Sequence, residues 1–265
     1  MLVYRYWKRV AGVIVVDGVQ KKVTCLAGSN ISEDDADRVG RERLRAIQRK
    51  IDGDRDAFAG YQTPIREEVI EELSEDVVVT RNRYGARVLN ARTTMIIDVD
   101  KPPASALCLL PWRQKKPAKE QIVEMVRRRA QSYPVLAIRI YETCQGVRLI
   151  VLGKPFDASS PESAELMRAF HADALYALLC RKQGCFRARL TPKPYRMKFR
   201  GHRVGFPIQT EEERERYDTW VAEYEERAKE FSVCRYLETI GSAFTTETVR
   251  YHDEETNAQS SLPLA

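Results

Sequence analysis

Two aspartates at the end of an apolar strand are the residues of this sequence best suited to chemistry. Asp98 and Asp100 end the segment TMIIDVD at residues 94–100, and side chains two residues apart on a strand point to the same face. Adjacent carboxylates repel each other unless a divalent cation lies between them. The pair is therefore typical of a site that holds Mg²⁺ or Mn²⁺ against nucleotide phosphates. The alternative is a strand that ends here with both carboxylates in solvent.

Two further charged side chains occur in apolar surroundings. Arg148 is the only charged residue of the predicted strand Val147–Leu152. Asp173 lies in an apolar stretch of the predicted helix Pro161–Cys180. Because a buried charge needs a partner, we expect Arg148 to bind phosphate oxygens or to form an internal salt bridge with Glu142 or an aspartate. Asp173 is expected to be a third metal ligand, a helix cap or a partner of Arg148.

Positive charge is concentrated in one segment. The chain carries 44 Lys and Arg against 38 Asp and Glu, a net charge of +6, and nine of these cations but no carboxylate fall within residues 181–203. Because aromatic residues alternate with the cations there, the segment is typical of a groove that binds nucleic acid. The alternative is a solvated basic surface. The residues expected to contact nucleic acid are Arg187, Lys193, Arg196, Lys198 and Arg200.

The elements that must position these residues alternate between strand and helix patterns. Strand patterns occur at residues 3–10, 13–16, 22–26, 77–80, 86–90, 94–100, 135–141, 147–152 and 186–190. Helix patterns, several with capping residues or a first-turn proline, occur at residues 32–51, 64–73, 117–132, 161–180 and 211–231. A last strand or helix is expected at residues 233–240, and a polar tail from about His252. Together they predict an α/β (α+β) protein with an N-terminal αβ lobe at residues 1–75, a second lobe at 76–240 packed on it, and a C-terminal tail at 241–265.

The composition excludes several classes of protein. Hydrophobic residues make up 43% of the chain and charged residues 31%, which excludes disordered and collagen-like proteins. No apolar run reaches membrane-spanning length, and the start MLVYRYWKRV lacks the apolar region of a secretion signal. Six scattered cysteines do not form the pattern of a disulfide framework. We therefore expect a cytoplasmic protein with no membrane partner.

The order of these motifs resembles the archaeo-eukaryotic primase superfamily, which includes PrimPol-type polymerases. That family has an hhhDhD strand, a strand after a glycine turn, and a later aspartate followed by basic residues. Residues 96–100 (IIDVD) look like the first motif, residues 145–148 (QGVR) like the second, and Asp173 with residues 187–189 (RAR) like the third. The resemblance covers residues 77–198, and this chain has Arg148 where the family has a histidine. The whole chain also resembles a group of bacterial proteins that share TRNxYGA, DVD and FRARLTPKP strings, and this likeness implies no activity.

The primase resemblance implies a fold, a reaction and a set of roles. It implies a primase-polymerase-like fold with an RRM-like catalytic sheet in residues 76–240. The implied reaction is template-dependent nucleotidyl transfer on single-stranded or primed nucleic acid, with nucleoside triphosphates as substrates. The implied catalytic residues and ligands of Mg²⁺ or Mn²⁺ are Asp98, Asp100 and Asp173, and the implied triphosphate ligands are Arg148 and Arg189. The alternatives are a non-catalytic nucleic-acid-binding protein with a degenerate primase fold, and a metal-dependent phosphatase or nuclease.

Overall fold

The protein is a mixed α/β fold with antiparallel sheets, seen in a computed structural model that describes residues 1–100 and 118–265. The strands are β1 (Tyr6–Val16), β2 (Val19–Ser29), β3 (Glu68–Ser74), β4 (Val77–Arg81), β5 (Arg87–Ala91), β6 (Met95–Asp100), β7 (Ala137–Thr143), β8 (Gly146–Leu152), β9 (Phe186–Arg189) and β10 (Cys234–Ile240). The α-helices are α1 (Glu33–Ile51), α2 (Ala118–Ala130), α3 (Pro161–Ala169), α4 (Ala174–Gln183), α5 (Glu211–Ala228) and α6 (Glu247–Glu255). This confirms the predicted α/β class.

The first sheet is the hairpin of β1 and β2, with α1 packed against it. Asp17 and Gly18 both have positive φ, 52° and 77°, as a tight hairpin turn requires. Ser32 begins α1 by accepting a hydrogen bond from the backbone N–H of Asp35 at 3.1 Å. Gly40 lets the helix approach the hairpin closely, because a Cβ there would collide with Val10. The predicted hairpin and first helix are thus confirmed.

The second sheet contains both Asp98 and Arg148. Its strand order is β10-β7-β8-β6, and every neighbouring pair is antiparallel. Consequently β6 and β7 are parallel, with β8 between them, and α2 lies between β6 and β7 in the chain. This is a split βαβ arrangement. Ile122, Val123 and Val126 form the buried face of α2, while Pro117, where that helix was predicted to begin, lies outside the described residues.

The third sheet has the order β3-β4-β5-β9 and differs from the prediction at one strand. Residues 68–74 form β3, so the helix predicted from Pro64 to Leu73 is wrong. The reason is that β3 pairs with β4, all five residues of which are buried. Pairing against a buried strand outweighs the helix propensity of a segment rich in Glu. The β3–β4 pair also crosses the predicted lobe boundary at residue 75.

The predicted long helix over residues 161–180 is two helices. α3 ends at Ala169 and α4 begins at Ala174, and between them His171 has a φ of 56°. The side chain of Asp173 caps the start of α4. Aspartate favours such caps over helix interiors because its carboxylate binds nearby backbone N–H groups. The break determines where Asp173 lies.

The C-terminal residues, expected to be a polar tail, contain α6 and pack against the rest of the chain. Val249 and His252, three residues apart on α6, are fully buried. Further on, Leu264 forms a parallel bridge with Ser232. Only one narrow face of this polar helix is apolar, so the composition of the segment does not reveal its packing.

Two clusters of buried side chains hold these elements together. The larger lies between the second and third sheets and includes Leu89, Ile97 and Leu149. The smaller joins the basic segment to α5 and includes Met197 and Trp220. The basic segment is therefore anchored by its apolar residues. Within the described part of the chain, no helix is both long and apolar enough to cross a membrane.

Candidate functional site

The centre of the candidate site is an ion pair between Asp98 and Arg148, which lie directly opposite each other where β6 pairs with β8. Nε of Arg148 donates to Oδ1 of Asp98 at 2.8 Å, and Nη2 donates to Oδ2 at 3.3 Å. Arg148 is only 1% exposed, whereas 30% of the Asp98 side chain reaches solvent. The internal salt bridge, one of the two roles expected for Arg148, is therefore formed with Asp98. Glu142 instead pairs with Lys119.

The pair determines the charge of both groups. Burial raises the pKa of Asp98, but the charge and hydrogen bonds of Arg148 outweigh burial and hold that pKa below its ordinary value. Burial lowers the pKa of Arg148, and the Asp98 charge raises it above its ordinary value. Both groups are therefore charged at neutral pH. Each is compensated by the other, as a buried charge requires.

Behind Arg148 lies His252, a residue that was expected in a tail. Its Nε2 lies 3.3 Å from Nη1 of Arg148, and its Nδ1 lies 3.0 Å from Oδ1 of Asp253. Because a guanidinium only donates, Nε2 accepts and Nδ1 donates its proton to Asp253. The sulfur of Cys234 is 3.9 Å from Nε2. Cys234, His252 and Asp253 thus follow one another like the nucleophile, base and orienting acid of a catalytic triad. Cys234 and His252 are both completely buried, so substrate does not reach them and the group instead supports Arg148.

The backbones of Asp100 and Asp173 lie close to that of Asp98. Their side chains do not complete a set of metal ligands with it. Asp100 is exposed at the end of β6. Oδ1 of Asp173 accepts from the backbone N–H of Tyr176 at 2.7 Å, and the N–H of Asp173 donates to the carbonyl of Asp98 at 3.2 Å. Among the residues that the structure describes, no three His, Cys, Asp or Glu side chains are grouped to hold a metal ion.

This arrangement does not fit Mg²⁺ or Mn²⁺. Hard divalent cations are bound by carboxylate oxygens, and both oxygens of Asp98 already accept hydrogen bonds from Arg148. One oxygen of Asp173 caps α4. Of the three aspartates, only Asp100 is neither paired with Arg148 nor used as a helix cap. The catalytic and metal-binding roles of the three aspartates stay predictions.

Arg189 lies beside the ion pair, and Arg196 lies beside Arg189. Burial lowers the pKa of Arg189, and the nearby positive charges of Arg148 and Arg196 lower it further, although Asp98 raises it. Within residues 1–100 and 118–265, neither Arg189 nor Arg196 forms a salt bridge, and Nε of Arg196 is buried with no hydrogen-bond partner. The guanidinium groups of Arg148 and Arg189 therefore share the carboxylate of Asp98, and Arg196 adds a further positive charge next to Arg189. Such an excess of positive charge favours an anion.

The positive charge continues to the surface along the same segment. Tyr195 is 68% exposed, and Nζ of Lys193 and Cζ of Arg196 lie 5.7 and 6.0 Å from the centre of its ring. Its slight burial raises the pKa of Tyr195, but the two cations lower that pKa below its ordinary value. Lys198 follows, also exposed. We call these residues the cationic cluster: Arg189, Lys193, Tyr195, Arg196 and Lys198.

Two other arginines predicted to contact nucleic acid have carboxylate partners. Arg187 donates from Nε to Oδ1 of Asn90 at 2.8 Å and from Nη2 to Glu67, and only 18% of its side chain is exposed. Arg187 is thereby tied into the third sheet. Arg200 pairs with Glu223 at 3.0 Å, and both side chains are largely exposed. An exposed pair of this kind contributes little and exchanges readily for another anion.

No protein-family model, curated protein or solved structure matches this chain. Function must therefore be inferred from the chemistry of the site. The structure places Asp98, Arg148 and Arg189 close together, with Arg196 beside Arg189. Sequence reasoning missed His252, and the signal that was available is Val249 three residues before it, the spacing of one helical face.

Proposed function

We propose that this protein binds single-stranded nucleic acid through the cationic cluster, on a primase-like sheet whose aspartates do not carry out metal chemistry. The observation that carries the proposal is the excess of positive charge at the Asp98–Arg148 pair. Arg189 adds one charge there and Arg196 adds another beside Arg189, and no described carboxylate forms a salt bridge with either. A phosphodiester supplies the missing negative charge, and its oxygens match the geometry of a guanidinium group.

The succession of elements supports the primase-like sheet. β6, α2, β7 and β8 follow one another as a split βαβ unit and a further antiparallel strand, with the spatial order β6-β8-β7. RRM-like and ferredoxin-like sheets begin with this βαββ succession. They add a further strand after the second helix. In this chain the strand that follows α4 is β9, which pairs with β5 in the third sheet.

The ion pair is the reason for proposing binding rather than nucleotidyl transfer. A cation coordinated by Asp98 would compete with Arg148 for the charge of the same carboxylate. The guanidinium of Arg148, which is 1% exposed, would then lose part of its countercharge, and an incompletely compensated buried charge is destabilising. One oxygen of Asp173 already accepts the hydrogen bond that caps α4.

The exposed ring of Tyr195 favours a single strand over a duplex. The ring is 68% exposed and lies between two cations, Lys193 and Arg196. Aromatic rings among cations bind single strands because unpaired bases stack on the ring while phosphates contact the charges. Bases inside a duplex are already stacked and do not offer their faces.

The test is fluorescence anisotropy of a labelled 12-nucleotide single strand at several salt concentrations. Four phosphate contacts, from the four cations of the cationic cluster, predict a log–log slope of about −2.8. Replacing Lys193 and Lys198 by Gln together is expected to flatten that slope by about 1.4. The matched control replaces Lys21 and Lys22, two exposed lysines of β2, by Gln, which removes the same charge and should leave the slope unchanged.

Two results would overturn the proposal. Binding that does not respond to salt, or that weakens equally in the control variant, would exclude the cationic cluster as the phosphate site. The same strand is also incubated with Mn²⁺ and labelled nucleoside triphosphates. If the strand is extended or cleaved, and Asp100→Asn abolishes that activity, the proposal that the aspartates carry out no metal chemistry is overturned. Such a result would favour nucleotidyl transfer or nuclease chemistry.

A further inference from the structure

A cavity of about 250 Å³ lies between the start of β1, the β4–β5 turn, the loop at residues 202–208 and α5. Its walls are rich in aromatic and imidazole rings, contributed by Tyr6, Trp7, His202, Phe206 and Tyr217. We propose that this cavity binds one nucleobase. The inference rests on the proposed nucleic-acid binding and adds to it a site for a base, separate from the phosphate contacts of the cationic cluster.

The size of the cavity favours a single small ring system. Pockets that enclose drug-sized ligands measure roughly 300–1,000 Å³, so a cavity of about 250 Å³ is suited to a smaller group. Rings on several walls stabilise a flat aromatic ligand by stacking and edge-to-face contacts. A purine or pyrimidine base has this size and shape, and every base offers a face for stacking.

The charges around the cavity favour a neutral ligand inside it and an anion at its edge. Three of its arginines, Arg5, Arg81 and Arg214, pair with carboxylates at 2.9, 2.6 and 2.9 Å, respectively. Arg83 is exposed and forms no salt bridge with any described carboxylate; its guanidinium stacks on Tyr84 instead. A nucleotide matches this distribution, because its base is neutral and its phosphate is negative.

Asn82 supplies a hydrogen-bond donor that the described protein does not use. Its Oδ1 accepts from the backbone N–H groups of Tyr84 and Ala86, at 2.9 and 3.2 Å, which fixes the orientation of the amide. Its Nδ2 donates to no other described residue, and Asn82 lines the cavity. Ring nitrogens and carbonyl oxygens at the edge of a base are acceptors for such a donor.

The cavity is close to the cationic cluster along the chain. His202, which lines it, follows Lys198 by four residues, so their Cα atoms are at most about 14 Å apart. Arg200 and Arg203 lie between them and are exposed. A few nucleotides bound at the cationic cluster are therefore long enough to reach the cavity.

The test compares a 12-nucleotide single strand with an abasic strand of the same length and charge. The base-bearing strand is expected to bind at least about five-fold more tightly, since stacking of one base has this effect or more. Tyr6→Ala should remove much of that difference while leaving the abasic affinity and the salt slope unchanged. Tyr61→Ala is the matched control, because Tyr61 is 45% exposed against 39% for Tyr6 and does not line the cavity.

A measurement on the unaltered protein covers the case in which Tyr6→Ala does not fold. A strand containing 4-thiothymidine is cross-linked with light, and the attachment sites are identified by mass spectrometry. Attachment to Tyr6 or to residues 202–208 supports the base site, and attachment confined to residues 189–200 would overturn it. Titration with free nucleosides and nucleoside monophosphates shows whether the cavity also takes a base that is not part of a strand. If nucleosides or nucleoside monophosphates bind, and Tyr6→Ala weakens that binding, the result supports the same site.

The outcomes separate this inference from the proposed function. Equal affinity for base-bearing and abasic strands, with a steep salt slope, would overturn the base site and leave phosphate binding intact. If neither strand binds at low salt, the proposed function fails and the base site fails with it.

Discussion

Replacing Arg148 by alanine tests the ion pair at the centre of the site. Truncating one member of a buried pair costs about 3–5 kcal/mol of stability, because the other charge stays buried without compensation. Here 30% of the Asp98 side chain is exposed, so water stabilises the remaining carboxylate in part. The variant also loses the hydrogen bond from Nη1 to the carbonyl of Arg189, worth about 1 kcal/mol. We expect a loss of about 3–4 kcal/mol in the free energy of unfolding at pH 7.

The loss has a pH dependence whose sign follows from Asp98. In the folded protein its pKa lies below the ordinary value of 3.8, so the pair stabilises fully above that pH and less as pH falls through the folded pKa. In Arg148→Ala the charge that most lowers the pKa of Asp98 is gone while burial still raises it, so that pKa is higher than in the unaltered protein. The loss of stability in the variant therefore becomes smaller on acidification, because Asp98 takes up a proton and is no longer an unpaired charge. The difference in stability between the two proteins should be largest at neutral pH and shrink toward pH 3.

Urea denaturation followed by circular dichroism at pH 7 and at pH 3.5 measures both effects. Arg200→Ala serves as the control, because Arg200 and Glu223 form a pair that is 74% and 49% exposed and should contribute less than about 1 kcal/mol. Arg148→Met combined with Asp98→Asn should recover much of the loss, since no charge is then left unpaired. A loss below about 1 kcal/mol for Arg148→Ala at pH 7, or a loss that does not change with pH, would refute the reasoning.

Three other substitutions test the site by thermal or urea denaturation. Asp98→Ala is expected to lower the free energy of unfolding by about 3 kcal/mol, because its arginine partner is left unpaired. Asp100→Ala, at an exposed position, should change that free energy by less than about 0.5 kcal/mol. Equal effects of the two substitutions would contradict the pairing. Asp173→Ala should cost about 1 kcal/mol as a lost helix cap, and Asp173→Asn close to nothing, so an equal loss in the two would argue against a capping role. Gly85→Ala should destabilise more than Gly53→Ala: both have positive φ, 84° and 101°, but only at Gly85 would the added Cβ collide with a tryptophan ring.

The sequence was sufficient for elements whose signals are local. The β1–β2 hairpin follows from its two-residue turn, and α1 follows from the cap at Ser32 and its apolar spacing. The sequence was insufficient where contact with a segment far away in the chain determines the secondary structure or the packing. β3 is a strand because β4 offers it a buried edge, and no property of residues 68–74 alone contains that information. α6 is similar, since its polar sequence conceals a buried face that contacts the second sheet through His252.

The candidate site shows the same limit at the scale of single residues. The face and chemistry of Asp98 and Arg148 follow from strand alternation, and both roles considered for Arg148 require an anion. Which anion it binds depends on the register between β6 and β8. That register places Gly146 opposite Asp100, where a larger residue would collide with the carbonyl of Val99, and it therefore places Arg148 opposite Asp98.

One residue type then determines what the aspartate strand is able to do. A histidine at position 148, as in the primase pattern, is shorter than arginine and offers at most one hydrogen bond from each ring nitrogen, so it does not span both oxygens of one carboxylate. Arginine spans both, and in this chain it does so at 2.8 and 3.3 Å. The guanidinium thereby supplies the positive charge that a divalent cation would otherwise supply to Asp98. Asp98, from which the strand predicts a metal site, is thus paired internally, and in the proposed function the surplus charge of Arg189 and Arg196 binds a phosphate.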